Sequence, residues 1–121
     1  MKQPATICIV DDDDGVRCSL ENYLRAAGIT VCTFDSAETF LASSHRATAD
    51  CLVTDLNMPG LDGLALQREL NRIGRRFPVI VMTAFPAASA RMESANLGAT
   101  AFLEKPIDPD ALLEKLEAIL P

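Results

Sequence analysis

A chain of 121 residues is the size of a single compact domain with a core of its own. Hydrophobic residues make up 49% and charged residues 23%, but aromatics only 5%, so that core must be built from Leu, Ile, Val, Ala and Met. A formal net charge of -6, with a pI near 4.6 and no Lys/Arg stripe, opposes the phosphate contacts that dominate nucleic-acid affinity and excludes direct DNA binding as the main task.

The apolar stretch ahead of Asp11-Asp12-Asp13-Asp14 is too short for the core of a signal peptide. No apolar run approaches the roughly 18 residues of a membrane span, so the expected location is cytoplasmic. Cys8, Cys18, Cys32 and Cys51 each fall in an apolar pattern without C-x-x-C spacing and are expected to be buried, reduced thiols. His45, the single histidine, lies in a polar stretch and is expected in a loop.

Thr6 to Val10 is a short, continuously apolar strand candidate. Val16, Leu20, Tyr23, Leu24 and Ala27 then recur at helical spacing from about Asp14 until Gly28, a natural terminator. Thr30 to Phe34 reads as a second strand, Ser36 as the N-cap of a short helix with Phe40 and Leu41, and Ser43 to Ala49 as a loop. Cys51 to Thr54 is a third strand ending on Asp55, followed by the turn-rich Met58-Pro59-Gly60-Leu61-Asp62-Gly63 and a helix that stops at Gly74. Val79 to Thr83 is the most apolar strand, and a fourth helix spans Ala87 to Leu97, closed by Gly98. After a short strand at Ala101 to Leu103, the last helix opens on Asp108 as N-cap with Pro109 at its first position. Five strands alternating with five helices predict one (βα)5 domain over residues 1–121, a parallel sheet covered on both faces.

In such a sheet the functional crevice lies beyond the carboxyl ends of the strands. Asp11 and Asp12, Asp55 and Thr83 end three of those strands, and Lys105 follows the last by two residues. Carboxylates crowded together repel one another, and a hard divalent cation such as Mg²⁺ or Mn²⁺ relieves the repulsion and invites a phosphate dianion. Asp55 can then act as a nucleophile toward phosphorus, with Lys105 and Thr83 as charge and hydroxyl donors to the phosphoryl oxygens. Taken singly, each residue has a plainer reading: an Asp run as a solvated helix start, Lys105 as surface, Thr83 as structural, Phe102 as core. Their coincidence at successive strand ends favours the chemistry.

These residues resemble the receiver domain of bacterial two-component response regulators, along essentially the whole chain from Ile7 to Leu120. The motifs are Ile9-Val10-Asp11-Asp12-Asp13, Val53-Thr54-Asp55-Leu56-Asn57-Met58-Pro59-Gly60, Val81-Met82-Thr83-Ala84 and Phe102-Leu103-Glu104-Lys105-Pro106. Val16 to Leu20 and Asp62 to Gln67 are further similar to the FixJ-like subgroup. The resemblance implies a CheY-like, flavodoxin-like sheet of order 2-1-3-4-5. It also implies that Asp55 takes a phosphoryl group from the phosphohistidine of a sensor kinase, and that Asp11, Asp12, Asp55 and the backbone carbonyl of Asn57 hold the metal. Thr83 and Phe102 would be switch residues, Lys105 the phosphate partner, Ala84 a small residue giving access, and Lys105-Pro106 a cis peptide. The domain would act on no substrate but itself, its phosphorylation and dephosphorylation being its own chemistry.

The output surface would be the face of the fourth helix, fifth strand and last helix, including Arg91, Met92, Ser94, Ala95 and Phe102. It would control dimerisation or an attached LuxR-type helix-turn-helix domain, and DNA would be reached only through that domain. A chain ending just past a final helix is expected to be part of a longer regulator. Rival readings fail on composition. A degenerate receiver should lack one of Asp11, Asp12, Asp55, Thr83 and Lys105, a haloacid-dehalogenase-type phosphatase needs D-x-D-x-[TV], and a calcium loop needs Glu where Asn22 stands.

Asn57 and Phe85 stand two residues beyond Asp55 and Thr83, where side chains influence the lifetime of an acyl phosphate. An apolar ring at position 85 should hinder an in-line water. Phe85→Glu is therefore expected to shorten the lifetime of the phosphorylated state, followed by its decay after removal of the phosphodonor; unchanged or slower decay contradicts this.

Overall fold

The computed structural model describes residues 5–120; Met1 to Pro4 and Pro121, which the sequence reading included in the domain, lie outside them. Five strands, β1 (Thr6–Val10), β2 (Thr30–Phe34), β3 (Cys51–Asp55), β4 (Val79–Thr83) and β5 (Ala101–Glu104), form one parallel sheet of order β2-β1-β3-β4-β5. The helices are α1 (Asp14–Ala26), α2 (Ala37–Ala42), α3 (His45–Thr48), α4 (Gly63–Arg72), α5 (Ala88–Asn96) and α6 (Pro109–Ile119). The predicted (βα)5 topology and strand order are both present.

Burial on both faces explains why the central strands read as unbroken apolar runs, and every residue of β3 and β4 is buried. One face holds Val10, Leu52, Val79 and Val81 under Leu66 and Leu70 of α4 and Phe40 of α2. The other holds Ile7, Ile9, Val53 and Ile80 under Leu20 and Leu24 of α1 and Leu112 and Leu116 of α6. Phe40 is the aromatic pivot, edge-on to Phe34 at 5.3 Å and to Phe77 at 6.4 Å between ring centroids.

Side-chain caps start most of the helices: Asp13 accepts from the Val16 N–H, Ser36 from Thr39, Asp62 from Ala65 and Asp108 from Asp110, the last with Pro109 beside it. α5 has no such cap. The predicted start at Ala87 moves to Ala88 because Pro86 and Ala87 offer no side-chain acceptor. α5 also differs from α1, α4 and α6: its single buried residue is Ser94, and Ala90 is only partly buried against the core. Polar contacts to α4 help to hold it. Ser94 Oγ donates to Gln67 Oε1 at 3.0 Å, Gln67 Nε2 donates to the Ser94 carbonyl at 3.2 Å, and Asn71 Nδ2 donates to the Leu97 carbonyl at 2.9 Å. An Arg68–Glu93 ion pair lies alongside.

Four expectations change. Ser94 belongs to this buried contact and not to an exposed output surface. The stretch Ser43 to Ala49 is not all loop, since His45–Thr48 close one helical turn, so His45 is helical. Cys18 is exposed, because it falls on the solvent side of α1, and Cys32 is half-buried, with its Sγ 3.5 Å from His45 Nε2. Cys8 and Cys51 are buried free thiols, and burial pushes both up to about 12, beyond easy ionisation.

Phe40→Ala should cost about 3–5 kcal/mol, the range for emptying a buried aromatic site, while Met92→Ala on α5, 67% exposed, should change stability by less than about 0.5 kcal/mol. Urea midpoints at constant m-value check both.

Candidate phosphoryl-acceptor site

Parallel register sets the ends of β1 and β3 side by side, with Val10 opposite Thr54. The residues that follow meet at the carboxyl edge. Asp11 is fully buried, its N–H donating to the Phe34 carbonyl at 3.1 Å and its Oδ1 accepting from the Asp13 N–H at 2.9 Å. Asp12 is exposed. Asp55, 5% exposed, sits beneath the start of α4, where a side chain at Gly63 would place its Cβ 2.6 Å from the Asp55 carbonyl oxygen. Only glycine lets the helix begin that close to the strand end.

One carboxylate oxygen from each of Asp11, Asp12 and Asp55 lies within 4.8 Å of the others. Lys105 is drawn to them from the end of β5, its N–H donating to the Thr83 carbonyl at 2.8 Å and the Lys105-Pro106 peptide being cis. Its Nζ stands 2.7 Å from Asp11 Oδ2 and 3.3 Å from Asp55 Oδ2. Three carboxylates against one ammonium leave two negative charges, and oxygen donors with that deficit fit a hard divalent cation. The protonation behaviour agrees. Burial, followed by the neighbouring Asp11 charge, lifts the Asp55 carboxyl above its ordinary range, and Lys105 only partly pulls it back. Burial pulls the Lys105 ammonium down, but its hydrogen bond and charge attraction to Asp11, with the Asp55 charge, outweigh this and leave it raised.

Thr83 ends β4 with its side chain fully buried. Its hydroxyl oxygen accepts from Asn57 Nδ2 and from the Phe85 N–H, each at 3.0 Å. Both lone pairs are thereby used, and what the hydroxyl has left to offer is its proton. The sequence pointed to the backbone carbonyl of Asn57; it carried no signal of this side-chain contact across 26 residues. Nor did it show that Arg17 of α1 donates to the Asp11 carbonyl. Phe102 is half-buried against the edge of the core, with the Arg91 guanidinium carbon 4.9 Å above its ring. Ala84, Phe85 and Pro106 are exposed around the crevice, Phe85 to 75%.

Residues 7–117 match the family described as "Response regulator receiver domain". The transcriptional regulatory protein FixJ of Azorhizobium caulinodans is 40% identical over 120 residues, 99% of this chain and 57% of that protein. The chain thus spans little more than half the length of this curated relative. The solved structure of FixJ-N superposes with a TM-score of 0.85 at 36% identity, covering 96% of this chain and 93% of that one. The chemotaxis protein CheY4 of Vibrio cholerae does so at 0.89 and 28% identity, over 98% and 100%. With the family matched over nearly its whole length, on a sheet of the same strand order and with the acidic edge just described, the chain belongs to the response regulator receiver domains.

Proposed function

We propose that Asp55 is the phosphoryl acceptor of this domain and that a sensor kinase phosphohistidine is the donor. The observation that supports it best is Lys105 Nζ bridging Asp11 and Asp55 within an acidic cluster 4.8 Å across. Asp11, Asp12, Asp55 and the Asn57 carbonyl are the ligands offered to Mg²⁺ or Mn²⁺, which when bound would neutralise charge on the phosphoryl oxygens. An Asp55 carboxylate oxygen forms the new bond to phosphorus as the phosphorus–nitrogen bond of the imidazole breaks, the electron pair leaving with the imidazole. Lys105, already between two carboxylates, supplies an ammonium to the incoming oxygens without being recruited from solvent. The only substrate of this chemistry is the domain itself.

Signalling follows from the Thr83 hydroxyl. To donate to a phosphoryl oxygen, Thr83 gives up acceptance from Asn57 and the Phe85 N–H, and the space it leaves is open to Phe102 once that ring leaves Arg91. The added charge of roughly -1.5 to -2 shifts the population between the two arrangements. The surface remade is α5, β5 and α6, exposing Arg91, Met92 and Ala95, through which the domain dimerises or governs an attached output domain. DNA contact belongs to that domain. Asn57 and Phe85 set the lifetime of the phosphorylated state.

Incubation with a small-molecule phosphodonor and Mg²⁺ should add one phosphoryl mass to the wild type and none to Asp55→Asn by intact-mass spectrometry. Uptake that survives the substitution contradicts the assignment. The raised Asp55 carboxyl gives a second expectation: the folded state binds that proton more tightly than the unfolded chain, so ionised Asp55 costs stability at neutral pH and the cost fades as pH falls through its raised range. Without divalent metal, Asp55→Asn should melt higher than wild type at pH 7, with the gap closing on acidification and on adding Mg²⁺.

A further inference from the structure

At the opposite edge, where the strands begin, the fold gathers cations that the sequence scatters. A cavity of about 740 Å³ between the ends of α2, α3 and α4 is lined by Arg46, Arg72, Arg75 and Arg76. Glu69 is the only carboxylate among the residues lining it, so four arginines stand with one acidic residue in a chain whose net charge is -6. Glu69 is taken by Arg72. Among the described residues, Arg46 and Arg76 pair with no carboxylate; Arg46 donates one bond to the Leu41 carbonyl and Arg76 makes none. The helix dipole accounts for one basic residue in the last turn of α4, which is Arg72, but not for the convergence of four arginines from two segments on one hollow.

Planar guanidinium forks recognise adjacent anionic oxygens, and a hollow of this volume suits a small molecule. Leu41 and Ile73, the latter 43% exposed, give the same cavity an apolar rim on which a planar or apolar body can rest. Arg75 connects the cavity to the rest of the domain. Its guanidinium donates to the Phe77 carbonyl at 2.6 Å and the Leu97 carbonyl at 3.4 Å, and a Cβ at Gly98 would lie 2.8 Å from its Nη2. Leu97 and Gly98 close α5, the helix whose buried contact with α4 is polar.

We propose that this cavity binds a small ligand bearing a diphosphate group, as an ester or as the free anion, and that its occupancy is sensed at the end of α5 through Arg75. Such a site lies at the opposite edge of the sheet from Asp55, so it would act on the switch without entering the acidic crevice.

Isothermal titration with ADP and with inorganic pyrophosphate, on protein freed of divalent cations by chelating resin, tests the binding. One site is expected, weakening with salt and weakening at least about tenfold in Arg76→Glu, the worth of one charge-assisted hydrogen bond. Arg76 is exposed and makes no side-chain hydrogen bond or ion pair among the described residues, so that variant should fold; Arg46→Ser is the second. ADP binding tighter than pyrophosphate marks an ester resting on the apolar rim, and equal affinities mark the free anion. Asp55→Asn should bind as wild type. No heat from either probe at millimolar concentration, equal binding by both arginine variants, or loss in Asp55→Asn overturns the site. Hydrogen exchange at Leu97 and Gly98 should slow on binding, and unchanged exchange overturns the coupling. No readout uses phosphorylation, so these outcomes stand apart from the fate of Asp55.

Discussion

Placing two buried carboxylates at the ends of neighbouring strands is electrostatically costly, and Lys105 is what makes the arrangement tolerable without a metal. At 2.7 and 3.3 Å it compensates Asp11 and Asp55 together, yet it leaves Asp55 with a carboxyl lifted by burial and by its acidic neighbour. Much of the surrounding structure serves that balance. The β1–β3 register fixes the carboxylates, Gly63 lets α4 begin directly over Asp55, and the Thr83 carbonyl anchors the Lys105 backbone. The site is a stored excess of two negative charges, the amount that a divalent cation would cancel.

Against this rigid edge, α5 is built differently. α1, α4 and α6 press leucines onto the sheet, whereas α5 contributes Ser94 to a buried exchange of hydrogen bonds with Gln67 and leaves Met92 in solvent. Hydrogen bonds contribute little net stability because water replaces them, but they demand geometry. A helix held this way has a definite position and a shallow well around it. Phe102 of the edge strand meets it through Arg91.

The parallel sheet and the convergence of Asp11, Asp12, Asp55, Thr83 and Lys105 were legible because they rest on local signals: apolar runs, caps such as Ser36 and Asp108, and polar residues closing three of the strands; the strand order came from the family resemblance. What escaped depends on rotation about helix axes and on distant partners. Ser94 on an otherwise unpatterned helix gives no sign of which side is buried, and only its pairing with Gln67, 27 residues away, decides it. The same applies to Cys18 on the outer side of α1 and to Asn57 reaching Thr83. Phe102, core if read alone and a switch residue by the resemblance, is only half-buried because β5 is an edge strand, its ring packing partly against the core and lying under Arg91.

The polar mounting of α5 has a thermodynamic consequence. Heat capacity changes with the apolar area exposed, and polar exposure contributes with the opposite sign. Moving α5 off α4 would uncover the polar groups of Gln67 and Ser94 and the Leu97 carbonyl. Its displacement therefore carries a small heat-capacity change, and the balance between its positions varies only gently with temperature. The global stability of the same domain, resting on Phe40, Leu66, Leu70 and their neighbours, curves steeply over that range. The position of this helix is thus thermally decoupled from the core that keeps the domain folded.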